Sequence, residues 1–269
     1  MLITVDTGGT KTLIASFNEA GKHGDFYRFE TPKDKQEYLE KVIQTIKSHY
    51  KNESIDGVIV AVPGIVKNNI AVWCANLKWH NFDIANSLKK HFSCPILIEN
   101  DANLAGLAET KTLSFAPETS LYVTISTGIG TGIIINGKIE PALSASEGGH
   151  ALVEYDGLVR EWESFASGHA IKETYGKYAK DITSAKIWER IADKISRGFL
   201  PIIPFLQPDI IIIGGSIGSY FDRYNKELEK ILSYRLPEHI VCPDIVQAKH
   251  PEEAVIYGCY YYGTDKLSR

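Results

Sequence analysis

The chain of 269 residues is long enough for one large domain or two small ones, and either arrangement can bury a sizeable core. Hydrophobic residues make up 44% and charged residues 23% of the sequence, a composition that excludes a disordered or collagen-like chain. The formal net charge of -4 argues against binding to duplex nucleic acid, because such a binder is expected to carry a basic face.

The cysteines and the amino terminus indicate a cellular compartment. Four cysteines lie far apart without C-x-x-C spacing, which favours free thiols in a reducing compartment over a disulfide framework. The first apolar run is at most about five residues long, shorter than the core of a signal peptide or a membrane span. We therefore expect a cytoplasmic protein that does not associate with membranes.

Short strands and helices are predicted to alternate in the first half. β-branched runs at residues 2–6 and 12–17 flank a glycine-containing turn, which is typical of a β-hairpin. The polar stretch between Gly64 and Asn81 is expected to be an irregular loop, and loops of that length commonly carry function. The other elements predicted here are strands near 26–29, at 58–62 and at 95–99, and helices at 34–49, near 83–91 and at 101–113.

The second half repeats the opening pattern. A strand at 121–126, a glycine turn at 127–132 and a returning strand at 133–135 precede the hairpin turn Asn136-Gly137. This order of strand, glycine turn and strand occurs at the head of each half and indicates a duplicated fold, with a boundary near residue 115. The remaining predicted elements are helices at 162–178, 185–206, 214–234 and 251–266, and a strand at 209–213.

Three glycine-containing turns could bind phosphate, because glycine lets backbone amides approach an anion and nearby hydroxyls add donors. In the first turn, Asp6 at the strand end could hold a hydrated Mg²⁺, although an ordinary hairpin turn explains this segment equally well. The third turn could place a helix amino terminus beside a nucleotide, or could be only a tight connection. The candidate residues in the three turns are Gly8, Gly9, Thr10 and Lys11; Thr127, Gly128, Gly130, Thr131 and Gly132; and Gly214, Gly215 and Ser216.

Two polar segments could recognise a substrate. Asp101 follows a buried strand and could accept a proton from a substrate hydroxyl while Asn100 binds sugar hydroxyls, but Asp101 could instead only cap the following helix. Glu147 and His150, with Glu163 a little later, could bind vicinal hydroxyls or a metal, but a histidine beside glycines is more often a surface residue. His169 and His250 have no predicted role.

Taken in order, these segments resemble the ROK family of sugar kinases over residues 2 to about 260. The resemblance implies an α/β fold of two ribonuclease H-like domains, as in the actin, hexokinase and Hsp70 superfamily, with mixed sheets flanked by helices around a central cleft. The implied domains are residues 1–115, with a helix at about 252–269 packing back on them, and residues 116–251. The segments that carry the resemblance are Asp6 to Lys11, Pro63-Gly64, Asn76-Leu77-x-Trp79, Glu99 to Asn103, Thr127 to Gly132, Glu147-x-Gly149-His150 and Gly214 to Ser216.

The resemblance also implies roles for these residues. Asp6 would be the acid linked to Mg²⁺, the turns at Gly8 to Lys11 and Thr127 to Gly132 would contact phosphates, and Gly214 to Ser216 would lie beside adenosine. Asp101 would be the general base that takes the proton of a sugar hydroxyl as this hydroxyl attacks the γ-phosphoryl group of ATP. The residues implied to hold sugar hydroxyls are Asn100, Glu147, His150 and Glu163, with Gly64 and Asn76 as weaker candidates.

One departure from the family is clear. Many ROK proteins carry a zinc motif, C-x-C-G-x-x-G-C-x-E, after the histidine of the E-x-G-H segment, whereas residues 155–163 contain no cysteine. Because three of the four zinc ligands are missing, we expect no zinc site at His150 and expect packing of Trp162 and Phe165 to hold this segment instead.

The predicted function is ATP- and Mg²⁺-dependent phosphorylation of a hexose, with glucose converted to glucose 6-phosphate. A kinase for N-acetylmannosamine or N-acetylglucosamine, a fructokinase, and polyphosphate as the donor remain alternatives. A different class is a non-catalytic sugar-binding or sensing protein, since some ROK relatives are repressors with an N-terminal helix-turn-helix domain. We expect no such domain before Asp6, and the resemblance implies a homodimer.

Overall fold

The computed structural model describes residues 1–250 and 253–267. Its strands are β1 (Leu2–Thr7), β2 (Lys11–Phe17), β3 (Tyr27–Glu30), β4 (Gly57–Val62), β5 (Ile65–Lys67), β6 (Ile70–Cys74), β7 (Trp79–Phe82), β8 (Ile96–Asn100), β9 (Thr119–Ile125), β10 (Ile129–Ile135), β11 (Lys138–Ile139), β12 (Leu152–Tyr155), β13 (Leu158–Glu161), β14 (Ile210–Gly214) and β15 (Asp244–Gln247). Its α-helices are α1 (Lys35–His49), α2 (Ile84–Lys89), α3 (Asp101–Lys111), α4 (Glu163–Ala166), α5 (Gly168–Tyr175), α6 (Ala185–Leu206), α7 (Gly215–Gly218), α8 (Asn225–Arg235) and α9 (Ala254–Leu267).

The chain divides into two compact units, each with a mixed sheet and helices. The first contains Met1–Ala108 and Glu253–Arg269, and the second contains Glu109–Glu252. The helix predicted at the carboxyl end is α9, which contacts β1 and β4; Pro251 and Glu252, where that prediction begins, lie outside the described residues. In the described part of the chain, we find no helix that combines the length and the apolar composition needed to cross a bilayer.

The sheet of the first unit has the strand order β3-β2-β1-β4-β8. β1 pairs with β2 antiparallel, as the predicted hairpin requires, whereas β1, β4 and β8 run parallel. Asp6 is in register with Ala61 of β4, and Ala61 is in register with Glu99 of β8. The pairing therefore brings the carboxyl ends of β1 and β8 to the same edge of the sheet.

The sheet of the second unit repeats this order and these directions. Its strands lie in the order β11-β10-β9-β14-β15, with β9 and β10 antiparallel and β9, β14 and β15 parallel. Gly214 at the end of β14 is in register with Thr124 near the end of β9. The turn after β9 and the turn after β14 therefore lie side by side.

The stretch between Gly64 and Asn81 was predicted to be an irregular loop, and this prediction was wrong. It forms a three-stranded antiparallel sheet of β5, β6 and β7. Asn68 and Asn69, at φ 52° and 60°, make the tight turn between β5 and β6, a conformation that asparagine tolerates. Ala71 and Trp79 are buried and pack this sheet against the core. The polar composition of the stretch gives no sign of that burial.

Several other predicted boundaries were also wrong. The helix predicted at 162–178 is broken into α4 and α5, because Ser167 adopts an extended conformation and its hydroxyl accepts the N–H of Ala170. The helix predicted from Gly214 to about residue 234 is interrupted after α7 and resumes as α8. Most of the predicted glycine turn at 127–132 belongs to β10, so the turn between the strands consists of Ser126, Thr127 and Gly128.

The β12–β13 hairpin and the edge strand β15 were also missed. The hairpin turns at Asp156 and Gly157, whose φ values of 53° and 77° suit the two-residue turn that an Asp-Gly pair favours. β15 lies at the edge of its sheet and is four residues long, so its alternation is too short to stand out in the sequence.

We predict that replacing Gly198 with alanine destabilises the second unit. Gly198 lies inside α6, where a Cβ would overlap the fully buried indole of Trp162. Overpacking of this kind costs about 1–3 kcal/mol, so the urea midpoint should fall. Glu189→Ala, an exposed change on the same helix, should stay within about 0.5 kcal/mol of the parent. An unchanged midpoint for Gly198→Ala would contradict this packing.

Candidate functional site

The turn between β1 and β2 is held by hydrogen bonds to its backbone. Gly8 donates its N–H to the carbonyl of Lys11 at 2.9 Å. The hydroxyl of Thr31 donates to the carbonyl of Gly8 at 2.9 Å, and Lys33 Nζ donates to the carbonyl of Gly9 at 2.7 Å. Carbonyl oxygens of the turn are thus engaged by protein groups, an arrangement in which the turn amides other than that of Gly8 can face an anion.

Asp6 lies at the end of β1, partly buried, directly before this turn. Burial raises the pKa of its carboxyl group to about 7. A carboxylate that has lost its hydration in this way is stabilised by a cation, and oxygen ligands suit Mg²⁺. Asp6 therefore fits a metal-linked role, with a carboxylate oxygen as the group that would face Mg²⁺ or its bound water.

Asn100, at the end of β8, caps helix α3. Its Oδ1 accepts the N–H of Asn103 at 2.9 Å, and its Nδ2 donates to the carbonyl of Gly64 at 2.8 Å. An amide side chain can make further bonds at each end, so these two contacts still allow Asn100 to meet a sugar hydroxyl.

Asp101 is the first residue of α3, and the cap bond to the third helical amide comes from Asn100 instead. Asp101 Oδ1 accepts the N–H of Ala102 at 2.8 Å, and the side chain is only partly buried. A carboxylate in this position is favoured by the helix dipole. The capping explanation of Asp101 is therefore weaker than its position in the sequence suggests.

Glu99 stabilises this strand end through hydrogen bonds, and no role of its own was predicted for it from the sequence. Its Oε1 accepts the N–H of Asn100 at 2.8 Å and Nδ2 of Asn103 at 3.0 Å, and Tyr262 of α9 is a further hydrogen-bond partner. Burial raises the pKa of Glu99 above its ordinary value. An acidic residue at the end of an apolar strand was the signal that the sequence offered for Glu99.

Gly64 lies beside Asn100, and Asn76 lies beside Gly9. Gly64 has φ 91°, and a Cβ there would overlap the carbonyl oxygen of Trp73, so glycine is required for both conformation and space. Asn76 is exposed and lies against Gly9, and Lys33 Nζ bridges the carbonyls of these two residues. The structure thus brings Asn76 to the glycine turn.

In the second unit, the turn after β9 is joined to two other segments through Ser126. Ser126 donates its N–H to the carbonyl of Gly128 at 2.9 Å and accepts the N–H of Gly168 on its own carbonyl at 2.6 Å. Its hydroxyl accepts the N–H of Ser216 at 3.1 Å. Thr127 to Gly132 and Gly214 to Ser216, predicted as separate phosphate- and adenosine-side turns, are therefore neighbours.

Glu147, His150 and Glu163 are brought together with Glu161. His150 Nδ1 lies 3.2 Å from a Glu161 carboxylate oxygen, and the ligand atoms of His150, Glu161 and Glu163 all lie within 4.8 Å of one another. Partial burial opposes it, but the hydrogen bond to Glu161 and the nearby carboxylates raise the pKa of His150. Burial, opposed by His150 and reinforced by Glu163, raises the pKa of Glu147.

Such a cluster of donors and acceptors suits several hydroxyl groups of one small polar ligand. Among the residues that the structure describes, His150, Glu161 and Glu163 offer three ligand atoms, whereas a structural zinc site uses four. The cluster therefore fits hydroxyl recognition better than a structural metal.

The β12–β13 hairpin is held by aromatic packing. Tyr155 stacks on Phe165 with ring centroids 4.7 Å apart and planes 6° apart, and the Arg160 guanidinium lies 5.3 Å from the Phe165 ring. Trp162 is fully buried and donates its indole N–H to the carbonyl of Lys194. The expected packing of Trp162 and Phe165 is confirmed.

A pocket of about 600 Å³ opens beside Ser216 in the second unit. Its lining includes His169, Lys172, Tyr178 and Lys180, none of which was assigned a role from sequence, as well as Thr127 and Gly215. Lys172 Nζ lies 4.4 Å from the centre of the Tyr178 ring, and a hydrogen bond from Lys172 lowers the pKa of Tyr178. Two lysines, an exposed aromatic ring and a strand-to-helix turn suit an aromatic polyanion such as a nucleotide.

The sequence matches the ROK family model over residues 2–265. It is 28% identical over 295 residues to an N-acetylmannosamine kinase of Haemophilus influenzae (strain 86-028NP), covering 98% of this chain and 96% of the relative. It is 23% identical to a xylose repressor of Caldicellulosiruptor bescii, covering 96% of this chain and 76% of the repressor. The crystal structure of an inorganic polyphosphate/ATP-glucomannokinase from Arthrobacter sp. strain KM superposes with a TM-score of 0.74 at 28% identity, covering 99% and 98% of the two chains. The chain therefore belongs to the ROK family.

Proposed function

We propose that this protein is a sugar kinase that transfers the γ-phosphoryl group of ATP to a hydroxyl group of a hexose. The observation that carries the proposal is the pocket of about 600 Å³ beside Ser216, whose lysines and backbone turn suit a nucleotide. Its relatives include an N-acetylmannosamine kinase and a polyphosphate/ATP-glucomannokinase, which supports the same class of reaction.

On the donor side, Lys172 and Lys180 would balance phosphate charge, and the turns at Gly128 and Gly215 would offer backbone N–H groups. The first turn, Gly8 to Lys11, would contact the terminal phosphates. Mg²⁺ held through Asp6 would neutralise charge on the phosphates during transfer. Phosphoryl transfer depends mainly on such positioning and charge neutralisation, so no covalent intermediate with the protein is needed.

On the acceptor side, Asp101 would take the proton of the attacking hydroxyl. Asp101 lies at the carboxyl end of a strand, where open α/β sheets bind their ligands, and Asn100 supplies the helix cap. Asn100, Glu147, His150 and Glu163 would hold the other hydroxyls of the sugar. Hydrogen bonds of this kind orient the ring so that one hydroxyl meets the γ-phosphorus in line.

Glucose is the first candidate for the sugar, with N-acetylmannosamine, N-acetylglucosamine and fructose as alternatives. A coupled assay of sugar phosphate formation across these sugars and mannose, with MgATP and with polyphosphate, tests the function. We expect one hexose to exceed the others in kcat/KM and EDTA to abolish turnover. Sugar binding without formation of a sugar phosphate from any of them, with either donor, would instead favour a sensor, the class to which the xylose repressor belongs.

We predict that Asp101→Asn lowers kcat by about 10²- to 10⁴-fold, because the amide cannot accept the proton while its oxygen can still accept the N–H of Ala102. The matched control is Asp83→Asn, at the amino end of α2, where Asp83 Oδ1 accepts the N–H of Asn86 and asparagine caps equally well. The control should keep parental kinetics. Near-parental turnover of Asp101→Asn would exclude Asp101 as the base.

We also predict that Lys172→Ala raises the KM for MgATP by about tenfold, the effect of losing about 1.5 kcal/mol from one hydrogen bond to a charged group. The KM for the sugar should change little, because Lys172 lines the pocket beside Ser216 and belongs to none of the segments assigned to the sugar. Lys186→Ala, an exposed change outside the pocket lining, is the charge-matched control. Equal KM values for MgATP in the two variants would contradict the assignment of this pocket to the nucleotide.

A further inference from the structure

Glu163 contacts the turn after β9 as well as the cluster assigned to the sugar. One of its carboxylate oxygens accepts the N–H of Ile129 at 3.0 Å, and a Cβ at Gly128 would lie 2.6 Å from the same oxygen. On its other side, Glu163 belongs to the close group formed with His150 and Glu161. One carboxylate thus lies against both the sugar cluster and the proposed phosphate turn.

A second contact joins the same two segments. The N–H of Gly148, next to Glu147, donates to Thr131 Oγ1 at 3.0 Å. Gly149 is fitted so closely against Ile129 that a Cβ there would overlap the Ile129 carbonyl. The segment that carries Glu147 and His150 therefore packs directly on β10.

The turn that Glu163 holds is also part of the wall of the nucleotide pocket. The carbonyl of Gly128 accepts the N–H of Ser126, and the hydroxyl of Ser126 accepts the N–H of Ser216. Ser126 and Ser216 both line the pocket of about 600 Å³. A continuous set of hydrogen bonds within the second unit thus runs from Glu163 to that pocket.

We propose that Glu163 is a positioning residue through which an occupied sugar site sets the turn at Gly128 and so raises the affinity for the nucleotide. The inference rests on the proposed function for the identity of the two ligands. A sugar hydroxyl that donates to Glu163 fixes the rotamer of its carboxylate, and the fixed carboxylate holds the Ile129 amide and the turn. Binding of either ligand then strengthens binding of the other by the same factor.

The test is the ratio of two dissociation constants for the Mg²⁺ complex of adenylyl imidodiphosphate, measured by calorimetry without sugar and with saturating sugar. Glucose and N-acetylmannosamine are both used as the sugar. In the parent protein we expect the sugar to tighten nucleotide binding by about tenfold, within the usual range of coupling between sites. The reciprocal titration, sugar with and without nucleotide, should give the same factor.

Gly128→Ala separates this role from a structural one. Gly128 does not have a positive φ, and the nearest obstacle to a Cβ is the end of the Glu163 side chain, so the variant displaces the carboxylate without straining the backbone. We expect the ratio to fall below about twofold. Damage limited to the nucleotide turn would weaken binding equally with and without sugar, and the ratio would stay near tenfold.

Glu163→Ala provides a second variant if Gly128→Ala folds poorly, and its ratio should also approach one. Glu154→Gln, on the nearby hairpin, is the matched control, because Glu154 bonds to Gly157 and Arg197 and should keep the parental ratio. Sugar binding with a parental ratio of one, or a ratio retained in both test variants, overturns the inference and leaves the kinase proposal standing. Coupled binding without phosphoryl transfer overturns the kinase proposal and leaves the inference standing, and binding of neither sugar nor nucleotide overturns both.

Discussion

Parallel pairing of the central strands decides where this protein can place its polar chemistry. Inside each sheet the backbone N–H and C=O groups are hydrogen-bonded to neighbouring strands. At the strand ends these backbone groups have no strand partner, and amides and side chains there can meet a ligand. Asp6 and the run Glu99-Asn100-Asp101 lie at the same edge of the first sheet, because Asp6, Ala61 and Glu99 are in register in β1, β4 and β8. β9 and β14 likewise place the turns at Ser126 and Gly214 at one edge of the second sheet.

The segments at the strand ends are held by protein groups before any ligand binds. Lys33 bridges Gly9 and Asn76, Asn100 bridges Asn103 and Gly64, and Ser126 bridges Gly168 and Ser216. Within each unit, segments organised in this way lose less conformational entropy on binding than mobile loops would. Glu99 illustrates the cost, since burial raises the pKa of its carboxyl group and hydrogen bonds from Asn100 and Asn103 compensate.

The β12–β13 hairpin shows how a ROK protein can stabilise this segment without cysteine ligands. Tyr155 stacks on Phe165, the Arg160 cation lies over their rings, and Trp162 anchors the end of the hairpin in the core. Aromatic and cation–π contacts contribute about 0.5–2 kcal/mol each, whereas a structural zinc ion contributes about 10–16 kcal/mol. Several contacts acting together are therefore needed, and the ion pair of His150 with Glu161 adds one at the position of the missing ligands.

Local sequence alone determined the first hairpin, α1, α6 and the buried strands, since hydrophobic spacing and capping residues act within a few positions. The Asn136-Gly137 turn was recognised from its residues. Asn68-Asn69 and Asp156-Gly157 also have positive φ values, but these turns were overlooked because the strands beside them are only weakly apolar. The order of motifs also determined the family. The sheet at 65–82 and the pocket that brings Lys172 and Tyr178 to Ser216 were decided only by the tertiary structure, because each depends on contacts between residues distant in sequence. The bond between Glu163 and Ile129 is of the same kind, since a spacing along the chain does not show which backbone amide a folded carboxylate will meet.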